Sequence, residues 1–148
     1  MRRPKPPAPP IGSADDVEVE FYEALQRGDA DRLMALWADD DEISCVHPGG
    51  ARLVGSVAIR ASFEAMFANG TIDARPHQVR RLEAHSTAVH SLLERVRVRG
   101  PQGEAFAWVV ATNVYVKATQ GWRLVAHHAS PGTAGEGQNA AEATSVLH

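Results

Sequence analysis

One change of rhythm constrains this chain more than any other feature. Up to Gly70 its apolar residues recur every three or four positions, and beyond Gly70 that period is lost to long alternating runs. A period of 3.6 belongs to helices and a period of two to strands, so helices come first and a sheet second. Val17, Phe21, Ala24 and Leu25 form an apolar stripe behind Ser13-Ala-Asp-Asp. Ser13 is placed to cap this first helix, and the two acids favour its positive end. Gly28 closes it, and Asp29 caps a second helix with Leu33, Met34, Leu36 and Trp37 on its buried face. Asp39 to Glu42 is a solvated turn. Ile43 to His47 is a short strand stopped by Pro48-Gly49-Gly50. Gly55 to Phe67 makes a third helix, closed by Asn69-Gly70. Residues 73–85, 86–99, 104–118 and 121–130 read as four strands, with turns at 100–103 and 119–121. Strands joined by short turns run antiparallel. These exceed the usual five or six residues, which predicts a long, curved sheet. The fold class is α+β, with helices packed on one sheet face.

At 148 residues the chain is one domain. A net charge of −3 gives no electrostatic footprint for nucleic acid, and no apolar run is long enough to span a membrane. Cys45 is the only cysteine, so an internal disulfide and a multi-cysteine zinc site are excluded. No spacing of His, Cys, Asp or Glu marks a metal site, and no cofactor is expected. Residues 1–12 hold five of the nine prolines and three positive charges, and are expected to be a disordered basic tail. Residues 132–148, rich in Gly, Ala, Ser and Thr, are expected to be a flexible C-terminal tail. The folded domain is then 13–131, acidic and expected in the cytoplasm.

Several segments carry a resemblance. They are the helix ending in Gly28-Asp29, the run Ala35-Leu36-Trp37-Ala38-Asp39-Asp40, and the His47-Pro48-Gly49 strand end. Leu53-Val54-Gly55 leading into Ala58-Ile59-Arg60, and the closing strands from Trp108 to Pro131, agree with them. Together they resemble the SnoaL-like part of the NTF2-like superfamily over roughly residues 14–131. The last strand, with its Trp, His and Ser-Pro pattern, is also similar to the association domain of calcium/calmodulin-dependent kinase II. The resemblance implies a cone: a curved antiparallel sheet wrapped around three N-terminal helices, enclosing a pocket and paired as a homodimer through the sheet. One such scaffold hosts isomerases, hydratases, cyclases and non-catalytic adaptors, so the fold does not choose the function. Pairing also has a physical motive. Phe106, Trp108, Val110, Val114 and Val116 share one strand face and would leave an apolar patch uncovered in a monomer.

More distantly the chain is similar to ketosteroid isomerase. That likeness puts His47 at the position of the carboxylate base, Phe21 at a donor tyrosine, and Asn113 at a protonated acid. Phe21 cannot donate, and Tyr22 beside it points about 100° away on a helix. Steroid isomerisation is therefore not expected. A different proton transfer remains open, with His47 as general base and Asn113 as oxyanion donor. The pocket is expected to be lined by Tyr22, Trp37, His47, Asn113 and His127. His127 and His128 are adjacent on a strand and must face opposite ways. Strand parity also carries His90 and Glu94 inward, where Glu94 needs a partner and an arginine from a neighbouring strand is the expected one. Two functions stand side by side. One is a homodimeric module that binds a small molecule or serves association, with no assignable reaction. The other is a small enzyme of isomerase, lyase or hydratase type.

Overall fold

Ser13 opens the first helix as its type and position predict: its hydroxyl accepts from the Asp16 amide at 3.0 Å. Helix α1 (Ala14–Arg27) then carries Asp15 and Asp16 in its first turn and ends at Gly28, whose φ of 65° suits glycine. Asp29 caps α2 (Ala30–Ala35) by accepting from the Arg32 amide. This is the computed structural model of the chain, and it describes residues 11–133. The rest of both expected tails lies outside the described residues. Ile11, assigned to the N-terminal tail on sequence, bridges Gly121 instead.

Two boundaries differ from the sequence expectation. The second helix stops at Ala35, because the chain beyond it is drawn into pairing with the last strand. The Leu36 carbonyl accepts from the Leu124 amide and the Ala38 amide donates to the Leu124 carbonyl, each at 2.8 Å. Leu36 and Trp37 stay buried, though not on a helix. A three-residue strand, β2 (Arg52–Val54), pairs antiparallel with β1 (Ser44–Val46) where no strand was expected. Helix α3 (Ser56–Phe67) follows, and then four strands run in sequence. They are β3 (Ala74–Glu83), β4 (Thr87–Gly100), β5 (Gly103–Ala118) and β6 (Gly121–Pro131).

The six strands form one curved, open sheet in the order β2-β1-β6-β5-β4-β3. Neighbouring pairs are antiparallel except β1 with β6, which run parallel. That exception departs from an all-antiparallel sheet. It is possible because α3 and four strands separate β1 from β6, a connection long enough for a crossover. Register shifts at 77–80 in β3 and at Val114/Tyr115 between β5 and β6 break the ladder, and such irregularities bend and twist strands. Strand alternation sets the core. Ala88, His90, Leu92 and Glu94 of β4 and Val109, Ala111, Asn113 and Tyr115 of β5 all point inward, against Val17, Phe21 and Leu25 of α1. Among the described residues, no helix is long and apolar enough to cross a membrane.

Candidate functional site

Inward-facing small residues leave room between α1, α3 and the sheet. A cavity of about 210 Å³ lies there, walled by Leu25, Phe63, Met66, Val96, Val109 and other apolar side chains. Three titratable groups interrupt that wall: His47 after β1, Glu94 on β4 and His127 on β6. Their hydrogen bonds form a directed chain. His127 Nδ1 donates to Asn113 Oδ1 at 2.5 Å, since an amide oxygen only accepts. Asn113 Nδ2 donates to the Tyr22 hydroxyl at 3.2 Å, and that hydroxyl donates to Glu94 Oε2 at 2.7 Å. Tyr22 comes from α1, Asn113 from β5, Glu94 from β4 and His127 from β6, so four elements must dock before the chain closes.

His47 is fixed by a separate pair of bonds. Ser62 donates its hydroxyl proton to the Ile59 carbonyl at 2.7 Å, so towards His47 it can only accept. The 2.9 Å contact between His47 Nε2 and Ser62 Oγ is then an Nε2–H donation, which leaves Nδ1 as a lone pair. The Phe63 ring holds the imidazole edge-on at 4.8 Å. Burial lowers the His47 pKa. His127 falls to about 3, mainly by burial, with His47 and His128 adding to it, so both imidazoles are neutral. Glu94 moves the other way. Burial raises it to about 7, the Tyr22 bond opposes this, and the Glu18 carboxylate adds to it.

Of the five residues expected at the pocket, His47 and His127 line it, and Tyr22 reaches it through Glu94. Asn113 is fully buried, donates to Tyr22 and does not line the cavity, so it stands behind the wall and not against a ligand. Trp37 is elsewhere: it lines a surface hollow with Met34, Val57 and Arg60. Phe21 lies fully in the core, between the rings of Tyr22 and His127. His127 points inward and His128 is exposed, as adjacent strand positions require.

Glu94 was expected to pair with an arginine, and it does not. Its neighbours across the ladder are Pro76 and Val109, while Arg95 projects from the opposite face, so the helix supplies the partner. Of a second buried cluster, strand parity had shown only His90. Glu18 accepts from the Tyr115 hydroxyl at 2.9 Å and meets His90 Nδ1 at 2.6 Å. One signal was available: Glu18 stands one turn before Tyr22, on the face that carries Phe21 and Leu25. Cys45 is fully buried, and burial pushes its thiol up to about 12, which makes it packing and not a nucleophile. Among the described residues, no group of three His, Cys, Asp or Glu side chains is placed to hold a metal ion.

Comparison with known proteins supplies a family and no reaction. A family model described as a SnoaL-like domain matches residues 15–134. A Thiobacillus denitrificans structure named a "putative calcium/calmodulin-dependent protein kinase type II association domain" is 31% identical. The match covers 85% of this chain and 100% of that one, with a TM-score of 0.77. A Streptomyces avermitilis structure named a "putative dehydratase from the NTF2-like family" is 33% identical over 80% of this chain and 93% of the other, with a TM-score of 0.71. The S. rosetta CaMKII hub shares the fold at 23% identity over 83% of this chain and 99% of its own, with a TM-score of 0.64. No curated protein matches the sequence. Helices first, a curved six-stranded sheet second and a cavity between them thus coincide with a family match over nearly the whole described chain: it belongs to the SnoaL-like family of NTF2-like cone proteins.

Proposed function

We propose that this chain is a self-associating, small-molecule-binding cone of the cytoplasm. The observation that carries the binding role is the cavity itself: an apolar wall interrupted by a few convergent polar groups is how ligand sites are built. Self-association is supported by the relatives named association domain and hub, and by the outer sheet face, which no helix covers among the described residues. The pairing we infer is a homodimer through that face. A single cysteine, buried and unpaired, suits a reducing compartment.

The test of the binding role needs no known ligand. Ala107 lies at the open end of the cavity and is exposed, so Ala107→Trp blocks the mouth without overfilling the core. Saturation-transfer NMR with a library of small apolar fragments is expected to show binders for the wild type that the variant loses. Equal signals from both proteins would remove the cavity from the argument.

A second reading, an isomerase, lyase or hydratase, is favoured by one specific feature, the free lone pair on His47 Nδ1 beside an apolar cavity. In this reading His47 takes the proton. Asn113 then acts as a positioning residue that orients Tyr22 and His127, because it is fully buried and does not line the cavity.

A further inference from the structure

Glu94 is a buried carboxyl with no cation beside it. Tyr22 is its one hydrogen-bond partner among the described residues, through Oε2, and Oε1 makes no bond to protein. The titratable groups around it are Tyr22 and Glu18 from α1, Cys45 on β1 and His47 just after it, and His127 from β6. No lysine or arginine is in that set, and none lines the cavity. The two imidazoles add no positive charge. His127 has spent its Nδ1 proton on Asn113 and His47 its Nε2 proton on Ser62, so each offers a lone pair. The polar end of the cavity is therefore an array of acceptors around an uncompensated acid, at the head of an apolar chamber.

We propose that the ligand is a compact protonated amine on an apolar body, whose ammonium group supplies the counter-charge to Glu94 and gives its N–H donors to the lone pairs of His47 and His127. This rests on the cavity being a binding site, and it narrows what that site accepts. A carboxylate or phosphate ligand would meet three acceptors and a second negative charge in a poorly solvated space, which costs it the site. A neutral alcohol satisfies one acceptor and leaves Glu94 without a cation. An ammonium satisfies several acceptors, and its bond to a carboxylate is charge-assisted. The apolar wall takes the rest of the molecule, and its volume of about 210 Å³ limits the body to roughly one ring.

A matched set of benzylamine, benzyl alcohol and benzoate tests this by calorimetry at pH 8 and pH 6. The amine is protonated at both values, so any pH effect on its binding reports the protein. At pH 8 benzylamine is expected to bind at least ~10-fold tighter than benzyl alcohol, with benzoate weakest. At pH 6 Glu94 must first release its proton, so the amine is expected to weaken by up to ~10-fold while the alcohol stays within about twofold. Glu94→Gln keeps an acceptor for Tyr22 and removes the charge, and is expected to erase the preference for amine while retaining benzyl alcohol. Benzyl alcohol binding as tightly as the amine, or benzoate binding best, overturns the ammonium class and leaves the cavity reading standing. If none of the three binds the wild type, the cavity reading falls and the inference falls with it. A preference for amine that persists in both Glu94→Gln and Ala107→Trp would locate the site elsewhere and overturn the proposal.

Discussion

Asn113 uses both ends of its amide in the interior: the oxygen fixes the His127 tautomer and an N–H fixes Tyr22. That leaves Tyr22 with its proton for Glu94, so a single amide orients two groups of the cavity wall. Glu94 in turn stores a pH dependence. Its folded-state pKa of about 7 lies above the 4.5 of an ordinary glutamate, so the folded protein holds a proton that the unfolded chain releases across this window. The stability contribution is complete below pH 4.5 and is lost as pH rises to 7, at about 1.4 kcal/mol per pH unit. His127 works in the opposite sense. Its value of about 3 lies below 6.5, so it destabilises the fold progressively as pH falls through 6.5. The two oppose each other between pH 4.5 and 6.5, with the lowered His47 adding to the His127 side. Glu94→Gln removes one side of that opposition: its stability relative to wild type is expected to rise by roughly 3 kcal/mol between pH 4.5 and 7.5. Urea titrations at the two pH values measure this. A difference that stays constant with pH would mean Glu94 titrates like an exposed glutamate.

The elements are joined at a few close approaches, and Gly121 is the tightest. It sits at φ 99° in the turn that starts β6, where an added Cβ would lie 2.6 Å from the Ile11 nitrogen and 2.7 Å from its carbonyl oxygen. That carbonyl accepts from the Trp122 amide at 2.8 Å. Gly121→Ala therefore strains the turn and pushes residue 11 off the edge of β6. The expected cost is about 1–3 kcal/mol, with faster hydrogen exchange at the Trp122 amide. An unchanged exchange rate would show that the Ile11 bridge is not held in solution.

Caps and long strands were legible in the sequence because their causes are local: Ser13, Gly28 and Asp29 act within three or four residues, and strand parity needs no partner. Parity also placed His90 and Glu94 inward. What it left out depends on residues far apart. Strand β2 has three residues, only one of them turned inward, so it has no period to read. The end of α2 is set by Leu124, and the partner of Glu94 is a tyrosine 72 positions away. Strand alternation says which face a side chain takes; which hydrogen bond it makes is decided when the helix docks.

For the whole molecule, the strand that builds the cavity also builds the surface. Val109 and Ala111 of β5 face the interior, while Trp108, Val110 and Val114 face away from the helices. Phe106 is 48% exposed at one end of this outer strip, with the Arg95 guanidinium 4.4 Å above its ring. Leu93 of β4 stands opposite Val110 and widens the strip. Among the described residues helices cover one side of the sheet only, which leaves these side chains to water unless a second copy covers them. Two such faces meeting about a two-fold axis bring the same residues together from each chain. Dimers of this kind bury about 1,200–2,000 Å², which needs most of an exposed sheet face and not a single edge. Light scattering is therefore expected to give twice the chain mass of 16.0 kDa. Val110→Lys places a charge near the centre of the strip on each partner, so the mass should fall to that of one chain. Alternation protects the interior from this change, because Ala111 and Val109 keep their places on the other face. Near-unchanged stability in the monomeric variant, corrected for the lost association, would separate interface damage from core damage. A wild type that scatters as a single chain at micromolar concentration would leave Phe106 and Trp108 facing solvent, and the homodimer would have to be given up.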